Sequence, residues 1–342
     1  MELQGKAQIK TINILQVIKW GIIGCGNVTE VKSGPAFNKV KNSKLVAVMR
    51  RNAALAEDYA RRHNVPKFYN DAGKLINDPE INAVYVATPP GSHAEYAVSS
   101  IKAGKPVYIE KPMALNYSEC LRIIETSEKH KIPVFVAYYR RALPGFLMVK
   151  KMLSDGVIGN PRLVLLELFK SPSDEEKSGK PSWRVDPGIA GGGHFFDLAS
   201  HQLDYLDFLF GPVEKVSPLA INQAGLYEAE DFVSASFTFG NNIVCSGTWC
   251  FSVSPENSRD RIEIFGDRGM IRFSYFNFEP IVVENSEGRK EFVNERPEHV
   301  QYYLIDQVVK ALSGGGTAAS TGITAARTSR VMDEVVKEYY KR

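Results

Sequence analysis

The chain is poor in cysteine, has no long apolar run and carries almost no charge imbalance, and each shortage closes off a class of function. Four cysteines, Cys25, Cys120, Cys245 and Cys250, are scattered through 342 residues without a CxxC pair or zinc-like spacing. A chain of this length does not need disulfide staples, so the thiols are expected to be reduced, as in the cytoplasm. No segment approaches the roughly 20 apolar residues of a membrane span. The N-terminal MELQGKAQIKTINILQVIKW lacks a long apolar stretch and a small-residue cleavage site, so neither export nor a membrane is expected. Residues 1–16 stay open between an ordered extension and a frayed tail. The net charge of +3 gives no reason to expect a nucleic acid as partner.

What the chain does have is rhythm. From Val17 to about Tyr138, the short β-branched runs VIKWGII, KLVAVM, NAVYVAT, PVYIE and PVFVAY alternate with amphipathic patterns such as AALAEDYARR and YSECLRIIETSEKH. Continuous apolar strands between helices predict a doubly wound parallel sheet, a Rossmann-type domain over 1–138. Beyond Tyr139, alternating runs meet at turn residues: DFVSASFTFG and NIVCSGTWCF around Gly240-Asn241-Asn242, then RIEIFG and GMIRFSYF around Asp267-Arg268. These are antiparallel hairpins, so 139–342 is expected to be an α+β substrate-binding and oligomerisation domain with a largely antiparallel open sheet. The segment SPSDEEKSGKPS reads as a polar loop with nothing to bury, placed where a lid would be.

The first strand runs into Gly24-Cys25-Gly26 and then a helix start at Asn27. In a βαβ unit such a loop aims backbone N–H groups at a pyrophosphate, Gly24 permitting the turn and Gly26 leaving out the Cβ that would block it. Thr29 occupies the third fingerprint position, where a small residue normally lets helix and sheet approach, so a wider spacing is expected. The second strand ends in Arg50 and Arg51 rather than the acidic residue of an NAD site. Guanidinium groups suit a 2′-phosphate, which points to NADP(H) in preference to NAD(H), against the alternative of a solvated basic turn.

Two further stretches carry polar chemistry. AGKPVYIEKPMAL ends a strand at Glu110-Lys111-Pro112, on the carboxyl edge where α/β sheets bind ligands. WRVDPGIAGGGHFFDLASHQ places Asp197 and His201 four apart on a helix after Gly191 to Gly193. His194 falls on the same side, but no further metal ligand is evident and no metal is expected. Trp183 offers a face for a sugar ring and Arg184 stands next to it. Arg140 or Arg141 offers either a substrate contact or a structural ion pair.

Together GCGN at 24–27, ATPPGSH at 87–93, AGKPVYIEKP at 103–112, RALP at 141–144, GVIGNPR at 156–162 and GGG-x3-D-x3-H ending at His201 closely resemble the glucose-fructose oxidoreductase, inositol dehydrogenase and MocA family (Gfo/Idh/MocA). The resemblance implies a cofactor site around Gly24, Gly26, Asn27, Val28, Thr88, Pro89, His93, Glu110 and Lys111, with His93 helping to cap the helix that follows. It implies that Lys111, Asp197 and His201 line the space beside the nicotinamide, that Lys111–Pro112 is a cis peptide, and that the chain forms a homodimer or homotetramer through its C-terminal sheet. Val233, Ala235, Phe237 and Phe239 would cover one face of that sheet. The expected activity is hydride transfer between the cofactor and a secondary alcohol or ketone of a sugar, cyclitol or related polyol. His201 starts near neutral pKa and is the favoured proton-exchanging group, with Lys111 polarising the substrate oxygen and Asp197 orienting substrate or histidine. A redox-neutral glycoside hydrolase that retains its cofactor, or a non-catalytic sensor of the same fold, remains the alternative.

Overall fold

The computed structural model describes residues 15–341; the expectation for the N-terminal extension falls almost wholly outside them. Six strands build the first sheet: β1 (Ile18–Ile23), β2 (Ser43–Met49), β3 (Lys67–Tyr69), β4 (Ala83–Val86), β5 (Val107–Ile109) and β6 (Val134–Val136). They are all parallel, in the order β3-β2-β1-β4-β5-β6, so the strand order reverses beside β1 and opens a crevice there at the carboxyl edge. The sequence reading missed β3. Its residues Lys67, Phe68 and Tyr69 lie half-exposed at the sheet edge and form no apolar run.

The second sheet has eight strands: β7 (Pro161–Phe169), β8 (Val213–Ile221), β9 (Phe232–Phe239), β10 (Ile243–Cys250), β11 (Arg259–Gly266), β12 (Gly269–Phe273), β13 (Ile281–Asn285) and β14 (Gly288–Phe292). Their order is β14-β13-β12-β11-β7-β10-β9-β8, antiparallel throughout except where β7 lies parallel to β10. Strand β8 escaped notice because it is an edge strand, largely exposed, which tolerates Pro218. Strand β14, GRKEF, is nearly all polar.

Val233, Ala235, Phe237 and Phe239 do line one face, but it is the inner one. They are buried with Val164, Leu166, Trp249, Ile262 and Ile264, and Trp249 meets Phe195 edge to face at 5.1 Å. The helices Ser200–Phe210 and Gly322–Tyr340 close over that side. The opposite face keeps Leu163, Leu165, Phe169 and Phe232 half-exposed and Val244 exposed.

The polar segment after β7 departs from expectation. A capping box between Ser173 and Glu176 folds Asp174–Lys177 into a helical turn, and Glu176 is buried, its Oε1 2.6 Å from Nε2 of His194. The segment therefore does bury something: one carboxylate with a partner waiting for it.

Arg141 anchors the core of the second half. It is 3% exposed on its side chain, and Nε and Nη2 donate to Asp204 at 2.7 and 2.8 Å while Nη2 also reaches Asp207 at 3.0 Å. Burial pushes the Asp204 carboxyl up to about 6 even with the guanidinium beside it. Arg141→Leu leaves these carboxylates short of charge, so a loss of about 3–5 kcal/mol is expected. Urea denaturation checks it, and an unshifted midpoint would show that Arg327, which also pairs with Asp207, is sufficient.

Candidate active site

The glycine loop is shaped by what stands around it. Gly24 has φ of 93°, and a Cβ there would lie 2.7 Å from Thr88 Cγ2 and 2.8 Å from Thr88 N. Its N–H and that of Cys25 both donate to Met49 O, tying the turn to the end of β2. A Cβ on Gly26 would instead project into open space, nearest Gly24 O at 3.9 Å. That space is the cradle a phosphate requires, and no side chain caps the helix start beyond it. The helix is short, Asn27–Val31, and a second, Gly34–Lys39, follows it. Thr29 is fully buried, and the two short helices meet closely at Gly34, whose Cβ would fall 2.2 Å from Thr29 O. Arg50 and Arg51 stand exposed at the end of β2, without an ion-pair partner among the described residues. The loop, its open cradle and these two cations fit a dinucleotide.

Strand β5 delivers Glu110, Lys111 and Pro112 to the same edge, and the Lys111–Pro112 peptide is cis. Lys111 Nζ donates to the carboxylate of Asp197 and, at 2.6 Å, to its main-chain oxygen. Asp197 sits in a π-helical turn, Phe195–Ala199, that leads into the helix Ser200–Phe210; such turns are frequent at functional sites. The glycines ahead of it allow the approach. A Cβ on Gly191 would stand 2.4 Å from Leu115 O, just past Pro112, so only glycine lets this segment lie against the Lys111 loop.

Three more predicted residues converge here. Arg184 Nε lies 3.6 Å from Asp197 Oδ2, and its guanidinium stacks on Trp183 at 4.6 Å. His201 is 4% exposed, ringed by Tyr138, Tyr139, Tyr275 and Phe276, and its buried Nδ1 has no hydrogen-bond partner. Burial holds the imidazole well below its ordinary value, and the charges of Lys111, Arg140 and Lys32 push the same way. Burial raises the Asp197 carboxyl, yet Lys111 and Arg184 outweigh it and leave the group below the usual carboxylate range. The partners of Asp197 are these two cations; His201 is not among them.

Other predicted residues are placed differently. Glu110 turns inward, away from the edge: Tyr85 OH and Gln301 Nε2 donate to Oε1, the latter at 2.5 Å, and the Lys111 N–H reaches Oε2 at 3.2 Å. A carboxylate so buried needs these donors, and with them it braces the Lys111 loop instead of meeting a ligand. His93 begins the helix His93–Lys102 but its side chain caps nothing; the buried ring spans Thr88 O at 2.7 Å and Pro112 O at 2.9 Å. His194 is engaged by Glu176, and among the described residues no three His, Cys, Asp or Glu side chains are grouped to hold a metal. Gln301 and Glu176 were missed in sequence. Glu176 had a legible signal, the S-x-x-E capping box, whereas Gln301 arrives from 191 residues beyond Glu110.

A dinucleotide cradle abutting a lysine, a carboxylate and a buried imidazole at one sheet edge defines a nicotinamide-dependent oxidoreductase. Residues 18–138 match the family described as "Oxidoreductase family, NAD-binding Rossmann fold", and residues 146–272 match the "GFO/IDH/MocA C-terminal domain". "Oxidoreductase P35" of Formosa agariphila is 40% identical over 317 residues, covering 92% of this chain and 97% of that protein. "Inositol 2-dehydrogenase" of Acidothermus cellulolyticus is 34% identical over 194 residues, 56% of this chain and 53% of that protein. A solved structure, "Levoglucosan dehydrogenase, complex with NADH and levoglucosan", shares the fold with a TM-score of 0.85 at 23% identity, covering 95% of this chain and 98% of that one. The chain belongs to the Gfo/Idh/MocA oxidoreductase family.

The depressed His201 pKa has a measurable consequence. Below pH about 6.5 the unfolded chain protonates this imidazole while the folded protein resists, so stability is whole above that pH and lost below it. From His201 alone the loss amounts to up to about 1.4 kcal/mol per pH unit. His201→Asn is expected to flatten the fall in denaturation free energy between pH 6.5 and 5; equal slopes in both proteins would show the ring to be charged or exposed.

Proposed function

We propose that the protein interconverts a secondary alcohol and a ketone on a carbohydrate, cyclitol or related polyol, with NADP(H) preferred. The observation that carries this reading is the meeting of Lys111, Asp197, Arg184 and His201 beside the glycine cradle. A bound nicotinamide would supply the acceptor or donor for the substrate's hydride. Lys111 is held by Asp197 at the sheet edge, where its remaining Nζ proton polarises the substrate oxygen. His201, kept neutral by burial, accepts the hydroxyl proton in oxidation and gives it back in reduction. Asp197 compensates the lysine and, with Arg184, fixes its direction. The names of related proteins, inositol 2-dehydrogenase and levoglucosan dehydrogenase, support a polyhydroxylated substrate. The outer face of the second sheet, with Leu163, Leu165, Phe169 and Val244, supports a homodimer or homotetramer joined there. The four described cysteines are free, which suits a cytoplasmic enzyme, and among the described residues no helix is long and apolar enough to cross a membrane.

Two measurements test this. Calorimetric titration is expected to give tighter binding of NADPH than of NADH, and Arg50→Ala with Arg51→Ala should weaken NADPH about 10- to 100-fold and leave NADH nearly unchanged. Equal affinity in the parent protein defeats the preference. For the chemistry, Lys111→Met should lower kcat at 340 nm by about 100-fold or more in a protein that still binds NADPH. A variant with full turnover would remove Lys111 from the mechanism.

A further inference from the structure

One cation beside His201 has no part in the scheme above. Arg140 is 4% exposed, with Nε donating to Tyr275 O at 3.1 Å and Nη1 to Tyr139 OH at 2.9 Å. Its guanidinium faces the rings of Tyr139, Tyr275 and Phe276 at 4.8, 4.5 and 4.7 Å. Among the described residues no carboxylate pairs with it, and Nη2 has no hydrogen-bond partner. The contrast with its neighbour is sharp: Arg141, equally buried on the same turn, is neutralised by two aspartates. Rings repay only part of the cost of burying a charge, and an unpaired buried cation is expensive unless something else compensates it.

The surroundings give that charge a direction. Arg140, Lys111 and Lys32 all act on His201 in the same electrostatic sense, and Arg184 Nε lies 3.6 Å from Asp197 Oδ2. Neither Asp197 nor the inward-turned Glu110 forms an ion pair with Arg140. The aromatic cage is also fixed in advance, because the Asp260 carboxylate accepts from the successive N–H groups of Tyr275, Phe276 and Asn277. A rigid guanidinium with Nη2 free is suited to a carboxylate, which it binds by charge-assisted and often bidentate hydrogen bonds.

We infer that the substrate is an acidic sugar, a monosaccharide or cyclitol bearing a carboxylate, and that Arg140 receives this carboxylate. The inference rests on the hydride-transfer reading of the same site. Arg140 sets specificity: it holds the acid group so that a neighbouring carbinol lies between Lys111 and His201, and neutral sugars leave it unpaired.

The test compares glucuronate, galacturonate and gluconate with glucose, galactose and inositol, and with glucose 6-phosphate, in turnover at 340 nm and in thermal shift of the cofactor-loaded protein. The acids should exceed the neutral sugars about 10- to 100-fold in kcat/KM, the range of one charged hydrogen-bonded contact. Arg140→Met, which fills the cage without charge, should raise KM for the acids by a similar factor, a loss larger than any it causes on neutral sugars. NADPH titration reports whether the variant is folded, and Arg140→Lys should recover part of the loss. Stabilisation by the acids that disappears in Arg140→Met, without any turnover, supports the acid site and instead sinks the hydride-transfer reading. Neutral sugars used as well as their acids, a preference for the phosphate, or equal losses on acidic and neutral substrates would each overturn the inference.

Discussion

Lys111 and Asp197 lie 86 residues apart in sequence and on different halves of the molecule, and the ion pair between them turns two surfaces into one site. Lys111 comes from the carboxyl edge of the parallel sheet; Asp197 comes from the turn that opens the helix packed under the second sheet. Either charge alone at this depth would be costly, and together they satisfy one another and leave one lysine proton for a ligand. The pairing also sets the distance between halves. Gly191 is needed because the contact brings Leu115 O to where any side chain would stand.

Around that pair the protein holds its loops with buried polar groups rather than with packing alone. Glu110 gathers Tyr85 and Gln301, and Tyr108 in turn donates to Gln301, so the residue before Lys111 is tied to the start of the helix Tyr302–Leu312. His93 spans the Thr88 and Pro112 carbonyls, joining the loop after β4 to the loop after β5. On the far side Glu176 fastens the Asp174–Lys177 turn to His194, three residues before Asp197, and the same excursion brings Trp183 and Arg184 to the site. Losing one member of any brace would leave a buried polar partner without it.

Charge distribution separates the roles of similar residues. Two histidines, His93 and His201, are both buried and both held below their ordinary pKa by burial, yet one has two carbonyls against its ring and the other an unpartnered nitrogen among aromatic rings. Two adjacent arginines divide likewise, Arg141 into a structural network and Arg140 into an uncompensated charge near the chemistry. Residue type and burial are the same within each pair; what differs is which acceptors the fold brings within reach.

The sequence by itself determined the class of each half and the edge on which the site lies. Buried parallel strands need continuous apolar runs, hairpins need turn residues, and a phosphate cradle needs glycines directly after a strand, all of which are local requirements written in adjacent residues. Lys111, Asp197 and His201, which the family resemblance singles out, lie in short motifs at a strand end or helix start, and the fold brings Lys111 against Asp197. Edge strands β3, β8 and β14 were not legible, because exposure relaxes the pattern. Nor were the inward turn of Glu110 and the burial of Phe237 and Phe239 on the inner face of the second sheet. These depend on contacts between segments tens to hundreds of residues apart, and only the packed chain decides which face is buried and which buried charge finds a partner.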